Sequence, residues 1–172
     1  MNEEYQYIMK NRVWEIVPRP EDKSMVTYRW IYNIKHAADG SIDKYKARFV
    51  ARGFSQQEGI DYEETFSPTA RCTTILSLIS LAALMGWNIH QMDVNTTFLN
   101  ATIDEEVYIE KPLGFEVKYR EAYICRLKKE LYGLKQAPRA WYARMDAYLQ
   151  RLGFLKNFFD PNLYIMVVKE EP

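Results

Sequence analysis

The chain has 172 residues, 48% of them hydrophobic and 27% charged, which is the composition of one folding domain or part of one, not of a disordered tail. Its 23 Lys and Arg balance its 23 Asp and Glu, so no overall field draws it to a polyanion, and its two cysteines form neither a disulfide framework nor a metal-spaced pair. Without an apolar run near ~20 residues or a signal-like start, a membrane protein and a secreted mini-protein are excluded, and an intracellular protein (cytoplasmic or nuclear) with reduced thiols is expected.

In chain order, residues from about Asn2 to Lys10 predict a short helix, followed by an apolar stretch, Val13 to Val17, that Pro18 and Pro20 end. Arg29 to Lys35 reads as a strand rich in aromatic and β-branched residues. Asp39-Gly40 supplies a turn, and Ile42 to Arg52 returns as the second arm of a hairpin. Gly53 to Ala70 reads as an irregular connection. A helix capped by Thr73 or Thr74 is expected to run to Met85 and to stop at Gly86. Being apolar over most of its circumference, it is expected to be central and buried. Trp87 to Val94 reads as a strand with Asp93 near its end, and Val107–Ile109 and Tyr123–Cys125 as short strands. Pro138 opens a second long helix with Trp141, Met145, Tyr148, Leu149 and Leu152 on one stripe, which Gly153 ends. A last strand is expected over Leu163–Val168. Strands mixed with two main helices give an α+β class.

The zero net charge hides a segregation. Between Arg29 and Gly53 six basic residues (Arg29, Lys35, Lys44, Lys46, Arg48, Arg52) face Asp39 and Asp43. From Glu58 to Glu110 nine acidic residues accompany only Arg71, and from Lys118 to Arg151 nine basic residues face three acidic ones. Two readings fit this order: solvated faces of separate elements, or a cleft with a polyanion-binding wall and a carboxylate floor.

Four blocks then occur in a fixed order: Lys46-Ala47-Arg48-Phe49-Val50-Ala51-Arg52-Gly53-Phe54; Gly59-Ile60-Asp61-Tyr62-Glu63-Glu64-Thr65-Phe66-Ser67-Pro68; Gln91-Met92-Asp93-Val94 leading into Thr97-Phe98-Leu99-Asn100; and Leu131-Tyr132-Gly133-Leu134-Lys135-Gln136-Ala137-Pro138-Arg139-Ala140-Trp141-Tyr142. Together they resemble the reverse transcriptase of Ty1/copia-type LTR retrotransposons over nearly the whole chain.

The resemblance implies polymerase-like fingers with a basic β-hairpin plus a partial palm, an antiparallel sheet with two main helices. It makes the chain a single partial reverse transcriptase domain, fingers-like over about 1–86 and a partial palm with inserted fingers elements over about 87–172. It implies deoxynucleotidyl transfer to a primer 3′-hydroxyl on an RNA or DNA template, with deoxynucleotide triphosphates as substrates and no membrane partner. Two Mg2+ ions stabilise the attacking and leaving oxygens in such a reaction, and hard ions require carboxylate oxygens. Asp93 falls where the family carries one metal ligand, and Val94 where a backbone carbonyl joins it. Phe98 matches the aromatic residue under the nucleotide sugar, where a ring excludes a 2′-hydroxyl.

Lys46, Arg48 and Arg52 are candidates for triphosphate or template-phosphate contacts, and strand register decides which of them face the ligand. Gln136 falls beside the incoming nucleotide and template. Lys135 and Arg139 flank it, as backbone contacts or as ordinary surface cations. The pattern also departs from the family. Thr97 stands where Ala is usual and Ala101 where Gly is usual, and the chain holds no Asp-Asp pair to match the family's second metal-binding motif, Tyr-x-Asp-Asp. The resemblance therefore implies a fragment that is inactive alone, and the alternatives it leaves are a non-catalytic nucleic-acid-binding module or an inert retroelement remnant.

Overall fold

The computed structural model describes residues 1–115 and 122–167. It is an α+β chain of antiparallel strands and three helices, in the order α1 (Asn2–Lys10), β1 (Trp14–Pro18), β2 (Tyr28–His36), β3 (Ile42–Ala51), α2 (Cys72–Met85), β4 (Tyr108–Ile109), β5 (Tyr123–Leu127), α3 (Ala137–Arg151), β6 (Leu155–Lys156) and β7 (Tyr164–Ile165). The chain divides into two compact units: Met1–Thr65 with Thr96–Trp141, and Phe66–Asn95 with Tyr142–Pro172.

The first unit holds the hydrophobic core. Strand β5 is central in a three-stranded sheet, pairing antiparallel with β1 and with β4. Its register sets Trp14 opposite Leu127 and Ile16 opposite Cys125, so these side chains share one face. On the other face Glu15 lies opposite Arg126, and it pairs with both Lys128 and Arg126, which hold its carboxyl below the usual carboxylate range. Cys125 is buried and its thiol is pushed up to about 12 by that burial, which makes it a small apolar core residue rather than a reactive one.

Strands β2 and β3 form the long hairpin. Gly40 takes φ +85° at the turn, where Asp39 Oδ1 accepts from the Ser41 amide and hydroxyl. Alternation gives the two arms two distinct faces. Tyr28, Trp30, Tyr32 and Ile34 lie opposite Ala51, Phe49, Ala47 and Tyr45, an aromatic and apolar face. Its base enters the core. Phe49 is fully buried, with ring centroids 4.6 Å from Tyr28, 5.2 Å from Trp30 and 5.5 Å from Trp14. The open edge of β3 meets α1, where Glu4 Oε1 accepts from the Phe49 amide at 3.4 Å. Ile8 of α1 is buried in the same core, and Tyr5 stacks on Phe115.

In the second unit, α2 ends as expected at Gly86, whose φ of +69° returns its amide to the Ala82 carbonyl. Its N-cap is Arg71 rather than Thr73 or Thr74. Thr74 instead donates to Asp160, which is buried and is held below the usual carboxylate range by that hydroxyl and by the Asn162 amide. Helix α3 carries the small β6–β7 hairpin. Tyr164 Oη donates to Asp146 at 2.7 Å, Lys156 Nζ donates to Asp146 at 3.2 Å, and Tyr142 Oη donates to the Pro161 carbonyl at 2.8 Å. The last strand is shorter than expected, and Val168 lies outside the described residues.

Two further expectations for this unit are corrected. The α2 helix is not buried: Leu84 is 82% exposed, Leu76 58% and Ile79 48%, and Ala82 is its one buried residue. A helix apolar over most of its circumference is covered only if enough layers surround it, and α3 with the short β6–β7 hairpin is too little surface. Trp87–Val94 is not a strand. A strand exists by its ladder, and no described strand takes up the backbone groups of this segment, so Trp87, Ile89 and Met92 stand exposed.

Candidate functional site

The pairing of β2 with β3 settles which face each basic residue occupies. Arg29, Ile31, Asn33 and Lys35 lie opposite Val50, Arg48, Lys46 and Lys44. Five of these eight residues are cations: Arg29, Lys35, Lys44, Lys46 and Arg48. All five are exposed, and they share the face opposite the aromatic one. Lys46 and Arg48 thus point the same way. Arg52 lies one residue beyond β3, its side chain exposed and its amide donating to the Thr27 carbonyl at 2.8 Å.

Like charges so close repel, and the fold offsets this only locally. Glu4 lies close enough to Lys46 and Arg48 for both to act on its carboxyl. Burial, the larger effect, nevertheless raises that carboxyl above the usual range. A cavity of about 490 Å³ opens beside Lys46 between the start of α1 and Tyr45. A multiply charged anion satisfies such a face better than scattered carboxylates do.

At its base the cationic face meets a second group of residues. The Arg48 guanidinium lies 5.5 Å from the Tyr132 ring centroid, and Phe98 packs edge-on against the same ring at 5.0 Å. Two candidate residues, Arg48 and Phe98, are therefore brought together through Tyr132, to which the sequence reading gave no role. The contact depends on two glycines packed backbone to backbone. A Cβ on Gly53 would lie 2.1 Å from the Gly133 carbonyl oxygen, and one on Gly133 would lie 2.1 Å from the Ala51 carbonyl oxygen. Gly133 also takes φ +91°, and the Ala51 amide donates to the Tyr132 carbonyl at 2.7 Å.

Gln136 sits behind this junction and is buried. Its Oε1 accepts from Gln56 Nε2 at 3.1 Å, while Gln56 Oε1 accepts from the Lys135 amide at 2.9 Å. Lys135 is not a free surface cation. Its Nζ donates to the Gln56 carbonyl at 3.1 Å and to Tyr62 Oη at 3.2 Å, and lies 4.8 Å from the Tyr62 ring centroid. Gln56 is thus the hub of the network, and the sequence reading missed it. The available signal was an uncharged Gln pair between the first two blocks, in a segment otherwise read as an irregular connection. Arg139 lines a cavity of about 410 Å³ together with Glu63 and Asp104–Glu106, so its surroundings are acidic.

Asp93 and Val94 belong to the second unit, on the exposed segment after α2, and Val94 is 47% exposed. Among the described residues no group of three or more His, Cys, Asp or Glu side chains converges to hold a metal ion. A hard divalent ion takes six or more oxygen ligands, and one carboxylate with one carbonyl does not enclose it. The described residues do not by themselves form a two-ion centre.

Comparison with known proteins extends well beyond the four blocks, which run from Lys46 to Tyr142. Residues 11–171 match the family described as reverse transcriptase (RNA-dependent DNA polymerase). The chain is 45% identical over 157 residues to the Retrovirus-related Pol polyprotein from transposon RE2 of Arabidopsis thaliana, which covers 91% of this chain and 11% of that protein. It is 41% identical over 164 residues to the Pol polyprotein from transposon TNT 1-94 of Nicotiana tabacum, covering 95% and 12%. It is 34% identical over 160 residues to the transposon Ty1-ER2 Gag-Pol polyprotein of Saccharomyces cerevisiae, covering 86% and 8%. The chain therefore spans about a tenth of the length of these relatives. No solved structure matches it.

Proposed function

We propose, since the chain belongs to the reverse transcriptase (RNA-dependent DNA polymerase) family and its relatives are copia-type Pol polyproteins, that it is the fingers and partial palm of an RNA-directed DNA polymerase and acts inside the cell. On this reading the fingers part is about 1–86, and the palm, about 87–172, carries inserted fingers elements. Membership in this family implies divalent-metal chemistry and nucleic-acid and nucleotide substrates. Among the described residues no helix is long and apolar enough to cross a membrane.

The observation that carries the proposal is the single cationic face of the β2–β3 hairpin. Ammonium and guanidinium groups on one face track a phosphate chain, as a template strand or a triphosphate requires. Lys46 and Arg48 contact phosphate oxygens from that face, and Arg52 extends the contact past its end. Phe98, held against Tyr132, lies under the nucleotide sugar, and Gln136 lines the same site from behind. Asp93 and the Val94 carbonyl would contribute oxygen ligands to one Mg2+, and among the described residues no group of three or more such side chains completes its shell.

Two assays test this. Purified chain given primed RNA, Mg2+ and deoxynucleotides is expected to leave the primer unextended, and extension would contradict the proposed incompleteness. Filter binding of the same primed RNA is expected at low salt and to weaken steeply as salt rises, because binding releases the counterions condensed on phosphate. Equal, weak retention at both salt concentrations would instead favour an inert remnant.

A further inference from the structure

We propose that Glu130 is a proton-operated latch in the first unit: with its carboxyl neutral, Lys128–Glu130 stays paired with Ala101–Ile103, and when the carboxyl ionises that pairing loosens and frees the turn at Phe98–Asn100. The inference concerns stability and does not depend on the polymerase reading. Glu130 is completely buried, between the equally buried Leu131 and the half-buried Lys129, and among the described residues no hydrogen-bond partner reaches either of its carboxylate oxygens. A buried charge without a donor is among the costliest arrangements in a protein, so such a group keeps its proton.

The carboxyl sits at a joint. The Glu130 amide donates to the Ala101 carbonyl at 2.9 Å, Lys129 bridges Thr102, and the Ile103 amide approaches the Lys128 carbonyl at 3.5 Å. Ala101 is itself buried and directly follows the short helical turn that holds Phe98 and the buried Leu99. Among the described residues the charged groups that act on Glu130 are Glu105 and Asp104, both acidic, from the segment that follows Ala101–Ile103. Burial first, and these two carboxylates after it, push the Glu130 carboxyl up from 4.5 to about 8.

The sign follows from proton counting. Between pH 4.5, where the unfolded chain releases this proton, and about 8, where the folded chain does, the folded state binds the extra proton. Raising pH through that window therefore favours unfolding, by at most about tenfold per unit and about three thousandfold in all. The stabilisation is complete below pH 4.5 and is gone above about 8. Carboxyls held low, such as Glu15 and Glu106, lose their contribution only in acid and do not compete in this window. Glu4 is raised as Glu130 is, so the effect of Glu130 is read as a difference between variants.

The test is urea denaturation of the full chain at about pH 5.5 and 8.5, for wild type and Glu130→Gln. The wild-type midpoint is expected to fall clearly between the two pH values, and that of Glu130→Gln to fall much less. Parallel losses in the two proteins would overturn the latch. Should the variant not fold, the carbon-13 titration of the Glu130 carboxyl in wild type decides. A midpoint well above the carboxylate range supports the proposal, and one near 4.5 overturns it. Hydrogen exchange separates a latch from a merely buried acid, because the protection factors of the Glu130 and Ile103 amides are expected to drop over the same pH window. Unchanged protection there would overturn the release.

Discussion

Replacing Gly133 with alanine is expected to cost about 3 kcal/mol or more, and to leave little folded protein at 37 °C. Two penalties coincide at this position. An L-residue at φ +91° costs about 1–2 kcal/mol by itself, and the new Cβ would stand 2.1 Å from the Ala51 carbonyl oxygen, a backbone atom that cannot move aside without β3. Two other glycines separate these causes. Gly153 has the same φ of +91° with nothing within 4 Å of its absent Cβ, so Gly153→Ala pays the conformational cost alone. Gly53 has no positive φ but the same 2.1 Å approach, so Gly53→Ala pays only for the collision. Thermal melts are expected to rank Gly133→Ala as most damaging, Gly53→Ala next and Gly153→Ala as mild. If Gly133→Ala melts like Gly153→Ala, the close backbone packing that positions Tyr132 is wrong.

Phe49→Ala is the second large loss, about 3–5 kcal/mol. Phe49 is fully buried among Trp14, Tyr28 and Trp30, so its removal leaves a cavity bounded by rigid rings that cannot collapse into it. The effect reaches beyond stability. Phe49 joins the base of the hairpin to the three-stranded sheet, and its neighbour Arg48 stands on the cationic face. Near-UV circular dichroism is expected to show the aromatic signal collapsing in this variant, with the hairpin losing amide protection first. A variant that kept the wild-type melting point would show that the hairpin is anchored elsewhere.

Much of the chain was legible because local rules agreed. The Asp39-Gly40 turn between two aromatic, β-branched runs specified the hairpin, and Gly86 and Gly153 marked the ends of α2 and α3. What local rules cannot carry is phase. The sequence showed six cations near the hairpin but not that five occupy one face, because a one-residue slip in pairing would have distributed them differently. Burial is equally non-local. The apolar run of α2 predicted its helix correctly and its surroundings wrongly, since coverage depends on what else packs in that unit. Trp87–Val94 failed as a strand for the related reason that its ladder needs a neighbour.

The site was legible in its blocks and not in its contacts. Gln56 and Gln136 are 80 residues apart and meet through one hydrogen bond, and Arg48 reaches Phe98 only by way of Tyr132. Glu130 was hidden for the opposite reason. In a stretch of three charged residues, Lys128-Lys129-Glu130, nothing marks which one turns inward.

The most direct test of the nucleic-acid reading is the salt dependence of primed-RNA affinity in three proteins: wild type, Lys44→Gln/Lys46→Gln/Arg48→Gln on the cationic face, and Tyr32→Ser/Tyr45→Ser on the opposite face. If the cationic face tracks phosphates, the triple variant binds more weakly and its log–log salt slope is shallower by about 2, while the tyrosine pair keeps the wild-type slope. A common slope for all three proteins, or a loss confined to the tyrosine pair, would contradict the assignment of that face.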